Sequence, residues 1–166
     1  MTSAQRFTLS SLLSAPPEQV WERVSTLSGV NAEMAPWFRM TSPPGTEDRL
    51  TPERVVPGQR LFRSWLLLGG LLPVEFDDLT LVRLEPGRGF LERSRMALQR
   101  TWEHERTLEP HAEGTVLTDR VLFEPLLPLP GQWALFAAVF RHRHARLRHH
   151  FGGRALAAPR RSGDVR

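Results

Sequence analysis

A chain of 166 residues, 40% hydrophobic and 24% charged, has the size and composition of one globular domain with a sizeable core, which excludes fibrous and disordered classes. It has no Cys, no Tyr and no Lys, so all 22 basic residues are arginines; a cysteine nucleophile, a Schiff-base lysine, a thiolate metal site and disulfides are excluded. The net charge of +4 conceals an asymmetry, because eight arginines and one aspartate follow residue 140 whereas 14 arginines and 17 acids precede Arg141.

Met1 to Arg6 lacks the charged start and apolar run of a signal peptide. The longest apolar stretch, Trp65 to Val74, is interrupted by Gly69 and Gly70 and falls far short of the roughly 18 residues that cross a membrane. A cytoplasmic location is the expectation.

Phe7, Leu9 and Ser11 alternate with Arg6, Thr8 and Ser10, a period of two that predicts an opening strand. Ser14-Ala-Pro-Pro-Glu18 then places a hydroxyl, prolines and an acid in the order that starts a helix, and Val20, Trp21, Val24 and Leu27 form its apolar stripe. A second short helix is expected from about Val30 to Ala35, after Gly29. Trp37 to Thr41 reads as a strand, followed by a polar loop from Pro43 to Gly58. Five further runs read as strands: Arg60 to Leu68, Val74 to Leu84, Gly89 to Leu98, Arg100 to Leu108 and Thr115 to Phe123. Gly69-Gly70, Glu85-Pro-Gly-Arg88 and Glu109 to Gly114 mark turns between them, so they form an antiparallel meander.

After the proline-punctuated link from Pro125 to Gly131, Trp133, Phe136, Ala137, Phe140, His144, Leu147 and Phe151 step by three or four residues. One long helix from Gln132 to Phe151 is predicted, buried along this stripe, with Arg141, Arg143 and Arg146 on the opposite face. The domain is expected to span residues 1–153, with residues 154–166 a disordered basic tail.

The order of strand, two short helices, strands and long terminal helix resembles the START-like (SRPBCC, Bet v 1-like) superfamily. The resemblance is carried by Phe7-Thr-Leu-Ser-Ser-Leu, Ser14-Ala-Pro-Pro-Glu-Gln-Val-Trp21 and Phe140-Arg-His-Arg-His-Ala-Arg-Leu147. It implies an α+β helix-grip fold, a curved antiparallel sheet of about seven strands wrapped around the C-terminal helix, with a cavity between them. Such a fold hosts many activities and fixes none.

Strand phase selects the expected lining. The more apolar face of each run turns Phe90, Glu92, Ser94 and Met96 inward, then Trp102, His104, Arg106 and Leu108, then Leu117, Asp119, Val121 and Phe123. With Trp65 as a further wall and Phe136, Phe140 and His144 from the helix, the candidate cavity residues are Trp65, Phe90, Glu92, Trp102, His104, Asp119, Phe123, Phe136, Phe140 and His144. Glu92, His104, Asp119, His144 and Glu33 are then either ligand-facing groups with perturbed pKa values or a satisfied network, such as Asp119 bonded to His104 or to an arginine.

No two histidines stand four apart and no HExxH occurs, so neither a metal nor a cofactor is expected. The nucleophile elbow, the dinucleotide glycine motif and the P-loop are missing. Three functions remain: binding or transport of a hydrophobic small molecule such as a lipid or polycyclic compound; a polyketide cyclase- or dehydratase-like enzyme using His104, Asp119 or Glu92; and contact of the arginine-rich terminal helix with an anionic surface. No catalytic residue is assigned. Without aromatic residues among those arginines, no nucleic-acid partner is expected.

Overall fold

The computed structural model describes residues 3–127 and 129–161. Strand β1 (Gln5–Leu13) leads into helix α1 (Pro17–Val24), which buries Val20, Trp21 and Val24 and carries its proline at the start. Helix α2 (Leu27–Met34) begins three residues before the expected start, because the Thr26 side chain caps it, accepting from the Gly29 amide at 3.0 Å. Gly29 therefore lies inside the helix, where a Cβ would stand 1.8 Å from the Arg23 carbonyl oxygen. The polar loop folds back onto this corner: Leu27 N–H donates to Asp48 O, and Leu50 N–H to Ser25 O.

The remaining strands are β2 (Phe38–Met40), β3 (Arg60–Leu68), β4 (Leu72–Glu85), β5 (Gly89–Arg93), β6 (Arg95–Met96), β7 (Gln99–His111) and β8 (Gly114–Pro125). Helix α3 (Gln132–Phe151) matches the predicted bounds, and β9 (Gly153–Arg161) follows it. The sheet runs β2-β3-β4-β5-β7-β8-β1-β9, all pairs antiparallel, with β6 paired to β4. The expected Gly89 to Leu98 strand is split at Ser94, so that its first half pairs with the distal part of β4 and β7, and its second with Asp77 and Asp78.

Residues 154–161, expected to be part of a disordered tail, instead belong to β9, which pairs with the free edge of β1. The chain reverses through Gly152 and Gly153, both at positive φ, and a Cβ on Gly153 would stand 2.0 Å from Leu12 O. Edge pairing is a backbone interaction, which apolar periodicity does not report. The rest of the expected tail, residues 162–166, lies outside the described residues.

The curved sheet grips α3, and the core divides in two. One cluster gathers Leu13, Val20, Trp21, Val24, Leu81, Phe90, Leu108, Leu117 and Leu147; the other gathers Phe7, Leu9, Met96, Trp102, Val121, Phe123 and Phe140, with Trp133 and Phe136 against it. Between them β7 places His104 and Arg106, β8 places Asp119, β1 places Ser11 and α3 places Arg143 and His144, all buried. A polar belt thus crosses the core at one level.

Candidate functional site

Asp119, with no exposed surface, is the centre of the belt. Its Oδ1 accepts from His104 Nε2 at 3.0 Å and Arg106 Nε at 2.7 Å, and its Oδ2 from Arg106 Nη2 at 2.7 Å and His144 Nε2 at 3.0 Å. Four donors occupy a carboxylate's acceptor sites. Arg106 turns its other edge to Glu33 of α2, with Nη1 at 2.9 Å and Nη2 at 3.1 Å, and Arg143 Nε reaches Glu33 at 3.0 Å. His144 Nδ1 meets Ser11 Oγ at 2.9 Å, which also accepts from Arg148 at 2.7 Å. Burial pushes the Asp119 carboxyl up, but Arg106 and then His104 outweigh it and hold the group well below the ordinary range. Glu33 is likewise raised by burial and lowered overall by Arg106 and Arg143.

Beside the belt, between α2, α3 and the concave face of β3–β7, lies a cavity of about 490 Å³. Its wall is mostly apolar, with Val30 and Met34 of α2, Leu79 and Leu81 of β4, and Phe136 and Val139 of α3 among its lining. Leu98, Leu129 and Leu135 line it and are also exposed, so it reaches solvent beside the start of α3.

One end of the cavity is polar. Glu92 Oε1 accepts from Ser94 Oγ at 2.7 Å and the Trp102 indole N–H at 3.0 Å, while Oε2 stands 3.7 Å from His104 Nδ1. His104 therefore joins belt and cavity, its ring held edge-on between Phe90 and Phe140 with centroids at 5.2 and 5.0 Å. Asp77 of β4 lies beside Glu92, and burial first, then the Glu92 charge, push its carboxyl well above the ordinary range. Glu92 is itself raised by burial, but the neighbouring His104, then Ser94 and Asp77, bring it below its usual value. The two carboxyls of the pair are thus shifted in opposite directions, Asp77 upward and Glu92 downward. Glu75 accepts from the amides of Phe76, Ala97 and Leu98 at 2.9, 2.7 and 3.1 Å, yet burial still raises its carboxyl.

The Asp77 shift has a checkable sign. The folded state holds the proton more tightly than the unfolded chain, so this group's stability contribution is intact below pH 3.8, its ordinary value, and is lost as pH rises through the folded value. Asp77→Asn is expected to raise the neutral-pH melting temperature and to leave it unchanged in acid. Thermal melts of both proteins across pH check this.

Of the candidate residues, Phe90, Glu92, Trp102, His104, Phe136 and Phe140 line the cavity. Asp119 and His144 lie in the belt behind His104, and Phe123 is sealed behind Phe136 with ring centroids 4.6 Å apart. Trp65 faces the other way: it is 45% exposed and packs on Phe76, while Phe62 and Leu66 of the same strand point inward. Nor does β3 adjoin β7, so Trp65 and Trp102 do not share a wall. Arg143 is buried with the inner stripe rather than on the outer face, drawn in by Glu33. Sequence reasoning missed Glu75 and Asp77, although both alternate with Leu79 and Leu81 along β4. It also missed Gln99, which a shift in the β7–β8 pairing between Gln99 and Thr101 accompanies into the lining.

A curved antiparallel sheet gripping a long terminal helix is the helix-grip fold, and solved structures with the same fold match over most of the chain. Protein CV1439 from Chromobacterium violaceum superposes with a TM-score of 0.67 at 18% identity, covering 89% of this chain and 96% of that one. A START superfamily protein from Mycobacterium smegmatis gives 0.62 at 13% identity, covering 89% and 97%. DynU16, from the dynemicin biosynthetic locus, gives 0.56 at 21% identity, covering 91% of this chain and 48% of its own. The sequence model of a domain of unknown function, DUF8410, matches residues 11–151, and the chain belongs to that family. No curated protein sequence matches it. Among the described residues no helix is long and apolar enough to cross a membrane, and no group of three or more His, Cys, Asp or Glu is placed to hold a metal ion.

Proposed function

We propose that the chain binds and carries a hydrophobic small molecule in its internal cavity. The observation that carries this reading is a space of about 490 Å³ with an apolar lining and a few convergent polar groups at one end, within the range of small-molecule sites. The exposed leucines at the opening give an apolar ligand a route of entry. Leu79→Trp, which places a larger side chain on the lining, is expected to weaken binding of the neutral apolar dye Nile red by about tenfold or more. Fluorescence titration of the folded variant measures this, and unchanged affinity would mean that the dye, and the ligand it stands for, sits elsewhere.

The Asp77–Glu92 pair favours a second reading, acid–base catalysis in the same cavity, because its two carboxyls are shifted in opposite directions, as a general acid and a general base require. Glu92 and His104 keep the roles open to them in that reading; Asp119, saturated by four donors, has no free edge for a substrate. Loss of chemical conversion of a co-purified compound in Glu92→Gln, with retention of its binding, would establish catalysis. The anionic-surface reading draws little support, since Arg143, Arg146 and Arg148 bond to Glu33, Ala32 O and Ser11, and Arg154 pairs with Glu113.

A further inference from the structure

The hydrogen-bonding capacity left over beside the polar end of the cavity is of one kind. Ser64 Oγ, Asp77 Oδ1 and Gln99 Oε1 are buried without a partner, on residues exposed by 0%, 7% and 6%. Ser64 is directly opposite Asp77 in the β3–β4 pairing, and Met96 opposite it on the other side. Two residues along, the Leu98 amide binds Glu75, which brings the adjoining Gln99 to the same region. A glutamine Oε1 only accepts, an aspartate oxygen accepts unless it carries the proton, and a serine oxygen can accept. The nearby donors, the Trp102 indole and the Ser94 hydroxyl, already serve Glu92. Buried acceptors without donors are costly, and they are rare enough in native proteins to ask what fills them.

Charge points the same way. Glu47, Asp48, Glu75, Asp77 and Glu92 line the cavity, against Arg143 and His104; Glu47 pairs with Arg54 and Asp48 accepts from Ser28, whereas Glu75, Asp77 and Glu92 have no arginine partner among the described residues. Arg143 is bound to Glu33 and His104 to Asp119, so the basic groups of the lining already have anionic partners in the belt. The groups around Asp77 are Glu92 and Ser94, Ser64 across the strand pair and Glu75 on β4 itself; Asp78 points to the other face, where Arg60 and Arg63 hold it. None of these is a cation facing Asp77.

We propose that the ligand of this cavity is an apolar molecule carrying a protonated amine, its ammonium received by Asp77 and Gln99 beside Glu92 and its apolar body lying along Leu79, Leu81, Met96 and Phe136. The inference rests on the cavity-binding reading and adds the ligand's class to it. An ammonium brings several N–H donors and one positive charge, which match the unpartnered acceptors and the excess of carboxyls together; an alcohol brings one donor and no charge. The amine arrives already protonated; burial and the Glu92 charge favour a proton on Asp77 when no cation is near, and the ammonium is expected to displace that proton to solvent.

The test uses the full chain loaded with Nile red and displaced by n-decylamine or 1-decanol at neutral pH. Decylamine is expected to displace the dye with at least about tenfold higher affinity than decanol, and Asp77→Asn to remove most of that preference. Calorimetry of the unsubstituted protein in two buffers of different ionisation enthalpy is expected to show proton release with decylamine at mildly acid pH and none with decanol, which decides the matter even if the variant does not fold. Equal affinities, a preference that survives Asp77→Asn, or no proton release would each overturn the amine assignment and leave the cavity reading standing. Failure of Nile red and both displacers to bind at all would overturn both.

Discussion

Arg106→Leu is expected to destabilise the protein by about 3 to 5 kcal/mol, because it removes one partner from a buried ion cluster and leaves the carboxylates behind. Arg106 has no exposed surface and carries both Asp119 and Glu33 on opposite edges of one guanidinium. Leucine has comparable apolar bulk but offers nothing to either acid, and neither can reach water. Adding Asp119→Asn and Glu33→Gln to the same chain is expected to restore part of the loss by removing the orphaned charges. Urea denaturation of the single and triple variants measures both effects; a single variant within about 1 kcal/mol of the parent would mean that the belt contributes little.

The same cluster is expected to set the acid limit of the fold. Asp119 and Glu33 are both held below their ordinary values of 3.8 and 4.5, so the stability they contribute is present above those values and is lost as pH falls through the lower folded ones. The parent protein's melting temperature should therefore fall as pH is lowered past this range. In Arg106→Leu the acids lose the cation that depressed them, and the acid-side slope should flatten.

Much of this arrangement is written in strand periodicity. Alternation along β7 and β8 turned Trp102, His104, Arg106 and Leu108 inward together with Leu117, Asp119, Val121 and Phe123, and all eight are buried. Phase alone does not say which inward residues meet a cavity and which are sealed. Asp119 and His104 lie on the same inner face, yet one is enclosed by four donors and the other lines the open space, because the distinction depends on where α2 and α3 sit above each strand. Glu33 supplies the missing link. It reaches the belt from a helix whose start the Gly29 breaker signal misplaced, and its pairing with Arg106 and Arg143 spans 73 and 110 residues of sequence. Strand β9 was illegible for a different reason, since its pairing to β1 is made by backbone groups and its residues alternate in no apolar pattern. The acid pair at the cavity's end was legible in half: the Gly89 to Leu98 run was phased and yielded Glu92, while the β4 run, whose Asp77 completes the pair, was not.

Phe140→Ala is expected to cost about 3 to 5 kcal/mol and at the same time to enlarge the ligand space. The ring is 2% exposed and stands at the junction of the buried core, the belt and the cavity. It packs edge-on to Phe7 at 5.5 Å and to His104 at 5.0 Å, lies 6.4 Å from Trp102, and carries the Arg143 guanidinium 4.9 Å above its face. Truncation removes the apolar transfer energy of the ring and leaves a void that the strands on one side and the helix on the other are too constrained to close. Because Phe140 also lines the existing cavity, that void opens into it rather than standing apart. The two consequences are separable by measurement. Urea denaturation reads the loss of stability, and Nile red titration of the still-folded variant is expected to show altered affinity, as the dye gains room toward Phe7. A stable variant would mean that the helix does not depend on this ring for its seat on the sheet. A destabilised variant with unchanged dye affinity would place the bound dye away from the wall that Phe140 forms.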